Sequence, residues 1–105
     1  MYTRHHTLLF SGFTLHRIDF DSTTFLQTDL LWLPHHESLA TAGRKRRAEH
    51  LAGRIAAVHA LSEFDQKSVP GIGDNREPLW PAGLQGSITH CGTTALAVVA
   101  IQPVG

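Results

Sequence analysis

The chain carries one cysteine, Cys91, in 105 residues, which excludes an internal disulfide, leaves the fold to stand on burial, and suits a reducing compartment. It has no apolar run of the roughly 18 residues needed to cross a bilayer. Its start, with Arg4, His5 and His6, lacks the apolar core of a secretory signal. The sequence is therefore read as soluble and cytoplasmic. Net charge is absent too: nine Lys plus Arg offset nine Asp plus Glu. That balance excludes a general nucleic-acid or membrane-surface binder, whose affinity would rest on bulk positive charge. The length admits one small domain, near the size where burial only just offsets conformational entropy.

What is present is concentrated. Five of the nine basic residues fall between Arg44 and Arg54, so positive potential is gathered where the overall balance hides it. Eight histidines invite a metal-site reading, but His5-His6 and His35-His36 are adjacent pairs whose side chains diverge. No CxxC, HxxxH or HExxH spacing closes a site. Solvated or capping histidines are the preferred explanation, and no protein-built metal site is expected.

Patterning gives the elements. Thr14 to Phe20 alternates as a strand, with Leu15, Ile18 and Phe20 as its apolar members, and an earlier strand is possible at Thr7 to Phe10. Asp29 to Pro34 reads as a buried connector or short helix, and His36 to Ala40 as a short helical piece. From Lys45 to Phe64 there is no proline, and Ala48, Leu51, Ala52, Ile55, Val58, Ala60 and Leu61 recur at helical spacing. Residues 68 to 85 form an ordered loop rich in turn residues. Gly86 to Cys91 and Thr94 to Ile101 are two β segments joined at Gly92, the second almost wholly apolar and so a central strand.

Two stretches carry the chemistry. In GSITHCGTTALAVVA, His90 stands at the mouth of an apolar run; in RKRRAEHLAGRIAAVHAL, Arg47, His50 and Arg54 share one stripe of the helix beside the apolar face. Together they suggest an anion site for a phosphorylated ligand. Gly53 in mid-helix costs of order 1 kcal/mol against alanine, which implies close packing or close ligand approach. The Gly71 and Gly73 pair is a weak phosphate-loop signal, lacking a third glycine and a Lys-Ser/Thr pair.

The ordered set RKRRAEHLAGRIAA, REPLWP and GSITHCGTTALAVVAIQPVG resembles the N-terminal half of the 4'-phosphopantetheinyl transferases, nearest to members that serve siderophore assembly. The resemblance implies an α/β (α+β) fold: one half of a pseudo-twofold molecule, a small mixed sheet packed on one long helix, over residues 1–105 as a single half-domain. It further implies transfer of 4'-phosphopantetheine from coenzyme A to a serine of an acyl, aryl or peptidyl carrier protein, with Mg2+ on the pyrophosphate. By motif, Arg54 corresponds to the family arginine that meets the nucleotide and its 3'-phosphate. Arg46 and Lys45 fall in the basic turn near the adenosine end. Arg76 lies one residue before the usual lysine of a Gly-Lys-Pro triplet, the chain reading Arg76-Glu77-Pro78. Thr89 and His90 match a Ser-His motif that reaches the phosphates, with threonine in place of serine.

In the resembled family an acidic segment that holds magnesium follows the position where this sequence ends in Gln102-Pro103-Val104-Gly105, and the C-terminal half is absent from these 105 residues. Asp19, Asp21 and Asp29 lie on the wrong elements to replace it. The expectation is that the chain alone is inactive, with no catalytic residue and no metal ligand of its own. Two alternatives remain open: a non-catalytic coenzyme A or nucleotide half-module, and a truncated product that self-associates through an exposed face.

Overall fold

A computed structural model describes residues 1–102; residues 103–105, on which part of the C-terminal reading falls, lie outside the described residues. Strands β1 (Thr3–Phe10) and β2 (Phe13–Phe20) form a hairpin whose loop residues Ser11 and Gly12 both take positive φ, 50° and 81°. A two-residue loop of that kind matches the twist of the flanking strands. Short 3₁₀ turns at Ser22–Thr24, Gln27–Trp32 and His36–Leu39 bury Leu30, Leu33 and Leu39 and lead into helix α1 (Arg44–Ser62). The following loop contains a two-residue pairing of β3 (Gly71–Ile72) with β4 (Pro78–Leu79), and β5 (Leu84–His90) and β6 (Thr94–Ile101) close the fold as a second hairpin.

The four long strands make one sheet in the order β1-β2-β6-β5, with α1 across one face. The fold class is α+β as expected, but the sheet is not mixed. β1 and β5 enter as hairpin partners, so only the β2–β6 pairing was free to run parallel. It runs antiparallel, with Ile18 opposite Ala95. β6 is central, as its apolar run implied.

Two details differ from the sequence reading. β1 begins at Thr3 rather than Thr7, because the polar segment Thr3 to His6 pairs residue by residue with Arg17 to Phe20. In β2 the buried face is His16, Ile18 and Phe20, whereas Leu15 lies on the opposite face with Phe10 and Phe13. A histidine on the inward face hid the period-2 pattern.

Helix and sheet approach closely because both present small side chains. Ala48, Ala52, Ala56, Ala57 and Ala60 on α1 and Ala95 and Ala97 on β6 are fully buried. A Cβ at Gly53 would stand 2.9 Å from Ile88 Cγ2 on β5. Close packing therefore explains this glycine, and the propensity cost is offset by contact with the sheet. Among the described residues no helix is long and apolar enough to cross a membrane.

Candidate functional site

The first two turns of α1 begin without support from sequence. Gly43 at the N-cap offers no side-chain bond, the first turn holds no acidic residue, and four cations, Arg44 to Arg47, follow in succession. Cations at a helix N-terminus oppose the helix dipole at about 0.3–1 kcal/mol each, and adjacent like charges add to the cost. Two of the four are used structurally. Arg44 donates to the carbonyls of Thr23 and Phe25, and Arg47 to those of Leu39 (3.0 Å) and Ala40. Lys45 and Arg46 have no such partner among the described residues.

These two face a cavity of about 940 Å³ lined by residues 38–39 and 41–46, by Glu49 and His50 of α1, by Ile72 and Arg76 of the loop, and by His90 at the end of β5. Three elements distant in sequence meet there. The β5–β6 turn comes alongside the start of α1 at Gly92, whose Cβ position lies 3.5 Å from Lys45 Cε, an ordinary contact distance. Arg76 is set by a tight turn in which Gly73 N–H donates to Glu77 O (2.8 Å) and Arg76 N–H to Gly73 O (3.0 Å). Arg76 itself takes φ of 63°, a left-handed conformation uncommon outside glycine. Glu77 holds the turn by accepting from Asn75 N–H at 2.8 Å.

Of the residues singled out from sequence, Arg46, Arg76 and His90 line this cavity, and Arg54 and Thr89 do not. Arg54 is buried, 4% exposed, and its Nε and terminal nitrogen donate to the carbonyls of Pro70 (2.9 Å) and Gly71 (3.0 Å). Two of its donors are engaged by the loop that carries Arg76, and it is not among the residues lining the cavity that His90 borders. Thr89 alternates with Ile88 and His90 along β5: Ile88 packs against the core and His90 reaches Glu49 of α1, so Thr89 points to the other face.

Two residues of the cavity wall were not picked out as site residues. Glu49 Oε2 lies 2.9 Å from His90 Nδ1, within ion-pair distance, and its side chain is 16% exposed. His50, noted only as a member of the helix stripe, meets His35 through their Nε2 atoms at 2.9 Å. Burial, then the nearby Arg54 charge, pushes the His50 pKa down to about 4, with His35 and His90 acting in the same direction. His50 is therefore neutral at pH 7 and serves as a wall. The sequence signal that could have found Glu49 is a carboxylate inside an otherwise basic run.

Residues 35–100 match the family model of the 4'-phosphopantetheinyl transferase N-terminal domain. The chain belongs to this family. It is 63% identical over 105 residues to the enterobactin synthase component D of Salmonella typhimurium, covering all of this chain and 45% of that relative. To the enterobactin synthase component D of Escherichia coli K12 it is 61% identical over 105 residues, with 51% of that relative covered. A more distant relative is the 4'-phosphopantetheinyl transferase PptT of Mycobacterium tuberculosis, 39% identical over 72 residues, 64% of this chain and 32% of the relative. The chain spans about half the length of the enterobactin synthase relatives it matches.

The transferase family implies Mg2+, and the carboxylates here do not fit it. Among the described residues no group of three or more His, Cys, Asp or Glu side chains could hold a metal ion. The three aspartates near the N-terminus are engaged elsewhere. Asp19 pairs with His6 (3.2 Å) and Arg17 (3.3 Å), Asp21 caps the Ser22–Thr24 turn, and Asp29 meets the Met1 amine at 2.6 Å.

Proposed function

We propose that this chain serves the transfer of 4'-phosphopantetheine from coenzyme A to a serine of a carrier protein, in enterobactin or related siderophore assembly in the cytoplasm. Its own part is to hold the phosphorylated nucleotide end of coenzyme A. The observation that carries the reading is the cavity at the start of α1, where Lys45, Arg46, Arg76 and His90 meet without a matching cluster of carboxylates. A nucleotide phosphate there would neutralise cations that otherwise oppose one another and the helix dipole, and it would accept several charge-assisted hydrogen bonds at once. Arginine suits planar, multidentate contact with phosphate oxygens better than lysine does.

In this reading Arg46, Arg76 and His90 touch phosphate. Arg54 acts through the Pro70 and Gly71 carbonyls by fixing the loop that aims Arg76. Thr89 touches phosphate only if β5 shifts on binding. The metal-dependent transfer needs acidic ligands that the described residues do not gather, so the chain alone is expected to bind coenzyme A without modifying a carrier protein. A second reading, self-association, draws on the uncovered sheet face, where Leu8, Phe10 and Phe13 are 48%, 66% and 49% exposed.

Calorimetric titration with coenzyme A, adenosine 3',5'-bisphosphate and dephospho-coenzyme A tests the proposal. The first two are expected to bind and the third more weakly, with Arg46→Ala and Arg76→Ala each costing about tenfold, the worth of one hydrogen bond to a charged group. Equal affinity for all three ligands, or none for any, would sink it.

A further inference from the structure

We infer that Glu49 is a positioning residue for the phosphate site: it holds the His90 imidazole by Nδ1 and so presents Nε2 to the anion in the cavity. The inference rests on the reading of the cavity as a nucleotide-phosphate site.

A carboxylate in the wall of an anion site is electrostatically misplaced. It repels the ligand and weakens the pull of the neighbouring cations. Glu49 also sits three and four residues after Arg46 and Lys45, the spacing at which helix ion pairs form. Its close partner is neither: the carboxylate lies 2.9 Å from Nδ1 of His90 on β5, within ion-pair distance. The pair joins the second turn of α1 to the end of the strand, and both residues line the cavity.

The hydrogen-bond inventory fixes what this contact does. An ionised carboxylate only accepts, so its contact with His90 is attractive when Nδ1 carries a proton. A phosphate oxygen also only accepts, so contact with phosphate through Nε2 requires a proton there as well. A ring that meets both neighbours carries a proton on each nitrogen, with the carboxylate on the Nδ1 side. The histidine side chain is 43% exposed, and Glu49 is its charged partner among the described residues. The cost of placing a negative charge in the wall is offset because the charge acts on the ligand through His90.

The two effects of Glu49, repulsion of the ligand and positioning of His90, have opposite signs, so a double-mutant cycle separates them. The measurement is calorimetric titration of the 105-residue chain with adenosine 3',5'-bisphosphate, for the unaltered protein and for Glu49→Ala, Glu49→Gln, His90→Ala and both Glu49 changes combined with His90→Ala. Circular dichroism verifies that each variant is folded. The expected result is that Glu49→Ala weakens binding about tenfold when His90 is present, as does loss of one charged hydrogen bond. Glu49→Gln, whose carbonyl still accepts from Nδ1, is expected to lose no more than about threefold. With His90 absent, either change is expected to tighten binding, because only the repulsion then remains. Should Glu49→Ala not fold, Glu49→Gln carries the same reversal of sign. Tighter binding by Glu49→Ala and by Glu49→Gln with His90 present, or equal effects with and without His90, would overturn the inference while leaving the phosphate site standing. No binding by the unaltered protein would instead overturn the proposed function on which the inference rests.

Discussion

At each end of α1 an imidazole meets a carboxylate, and the two pairs are built for different purposes. Near the C-terminal end, His16 of β2 meets Glu63 at 2.7 Å and His5 of β1 at 2.9 Å, with His59 stacked on His5 at a centroid distance of 3.8 Å. Both nitrogens of His16 are engaged and its side chain is 5% exposed, so the group locks the β1–β2 hairpin to the helix and offers nothing to a ligand. Near the N-terminal end, His90 meets Glu49 at 2.9 Å through one nitrogen, is 43% exposed, and borders a cavity rimmed with arginines. The same two residue types make a structural clasp where packing closes around them and a binding group where it does not. Side-chain identity alone does not separate the two; the saturation of the second nitrogen does.

The sharpest way to break the contrast is Arg54→Ala, because Arg54 belongs to the N-terminal half of the helix yet is buried like the clasp. Two carbonyls would lose charged donors, so unfolding free energy is expected to fall by about 3 kcal/mol. Ligand affinity should fall with it as the loop bearing Arg76 loosens. Urea unfolding and calorimetry on the one variant check both. Next in size, His16→Ala is expected to cost about 2 kcal/mol of stability and to leave adenosine 3',5'-bisphosphate affinity within about twofold. A large loss of affinity from His16→Ala would mean that the two ends are not separate.

A further expected effect is that of pH on stability. Burial is the leading cause that lowers the pKa of His5 and His59 at one end, with repulsion from His59, His16 and His6 adding to it for His5 and from His16 for His59. Burial also leads for His35 and His50 at the other, with the Arg54 charge second. A histidine lowered in the folded state binds its proton more readily when unfolded, so its stabilisation is present above the unfolded value of 6.5 and is lost as pH falls through the folded one. For His50 that loss extends to about pH 4. The urea midpoint is expected to be flat above pH 7 and to decline below 6.5, and a midpoint that rises on acidification would contradict the assignment.

Much of this architecture can be read from residues. The unbroken run with apolar residues at helical spacing placed α1 to within one or two residues of its ends, and the apolar Thr94 to Ile101 segment marked the central strand. The family was legible in three ordered motifs. What the sequence did not reveal follows from physical causes. Polar β1 pairs through its backbone, which needs no apolar signature, and His16 sits inward because Glu63 and His5 satisfy it there. Arg54 reads as a ligand-binding arginine by spacing, but whether a guanidinium meets a phosphate or two loop carbonyls depends on the path of residues 70–71. Glu49 was passed over because a carboxylate among cations looks like a solvated ion pair until the strand bearing His90 is folded against it.

The central claim is that the cavity at the start of α1 is the anion site. Backbone amide chemical shifts recorded during titration with adenosine 3',5'-bisphosphate test it most directly. The account predicts saturable shifts at Gly43 to His50, at Arg76 and at His90 to Gly92, with His5, His16, His59 and the hairpin tip at Ser11 and Gly12 unchanged. Shifts concentrated on the hairpin or the histidine clasp, with the residues around Arg46 and His90 silent, would contradict it.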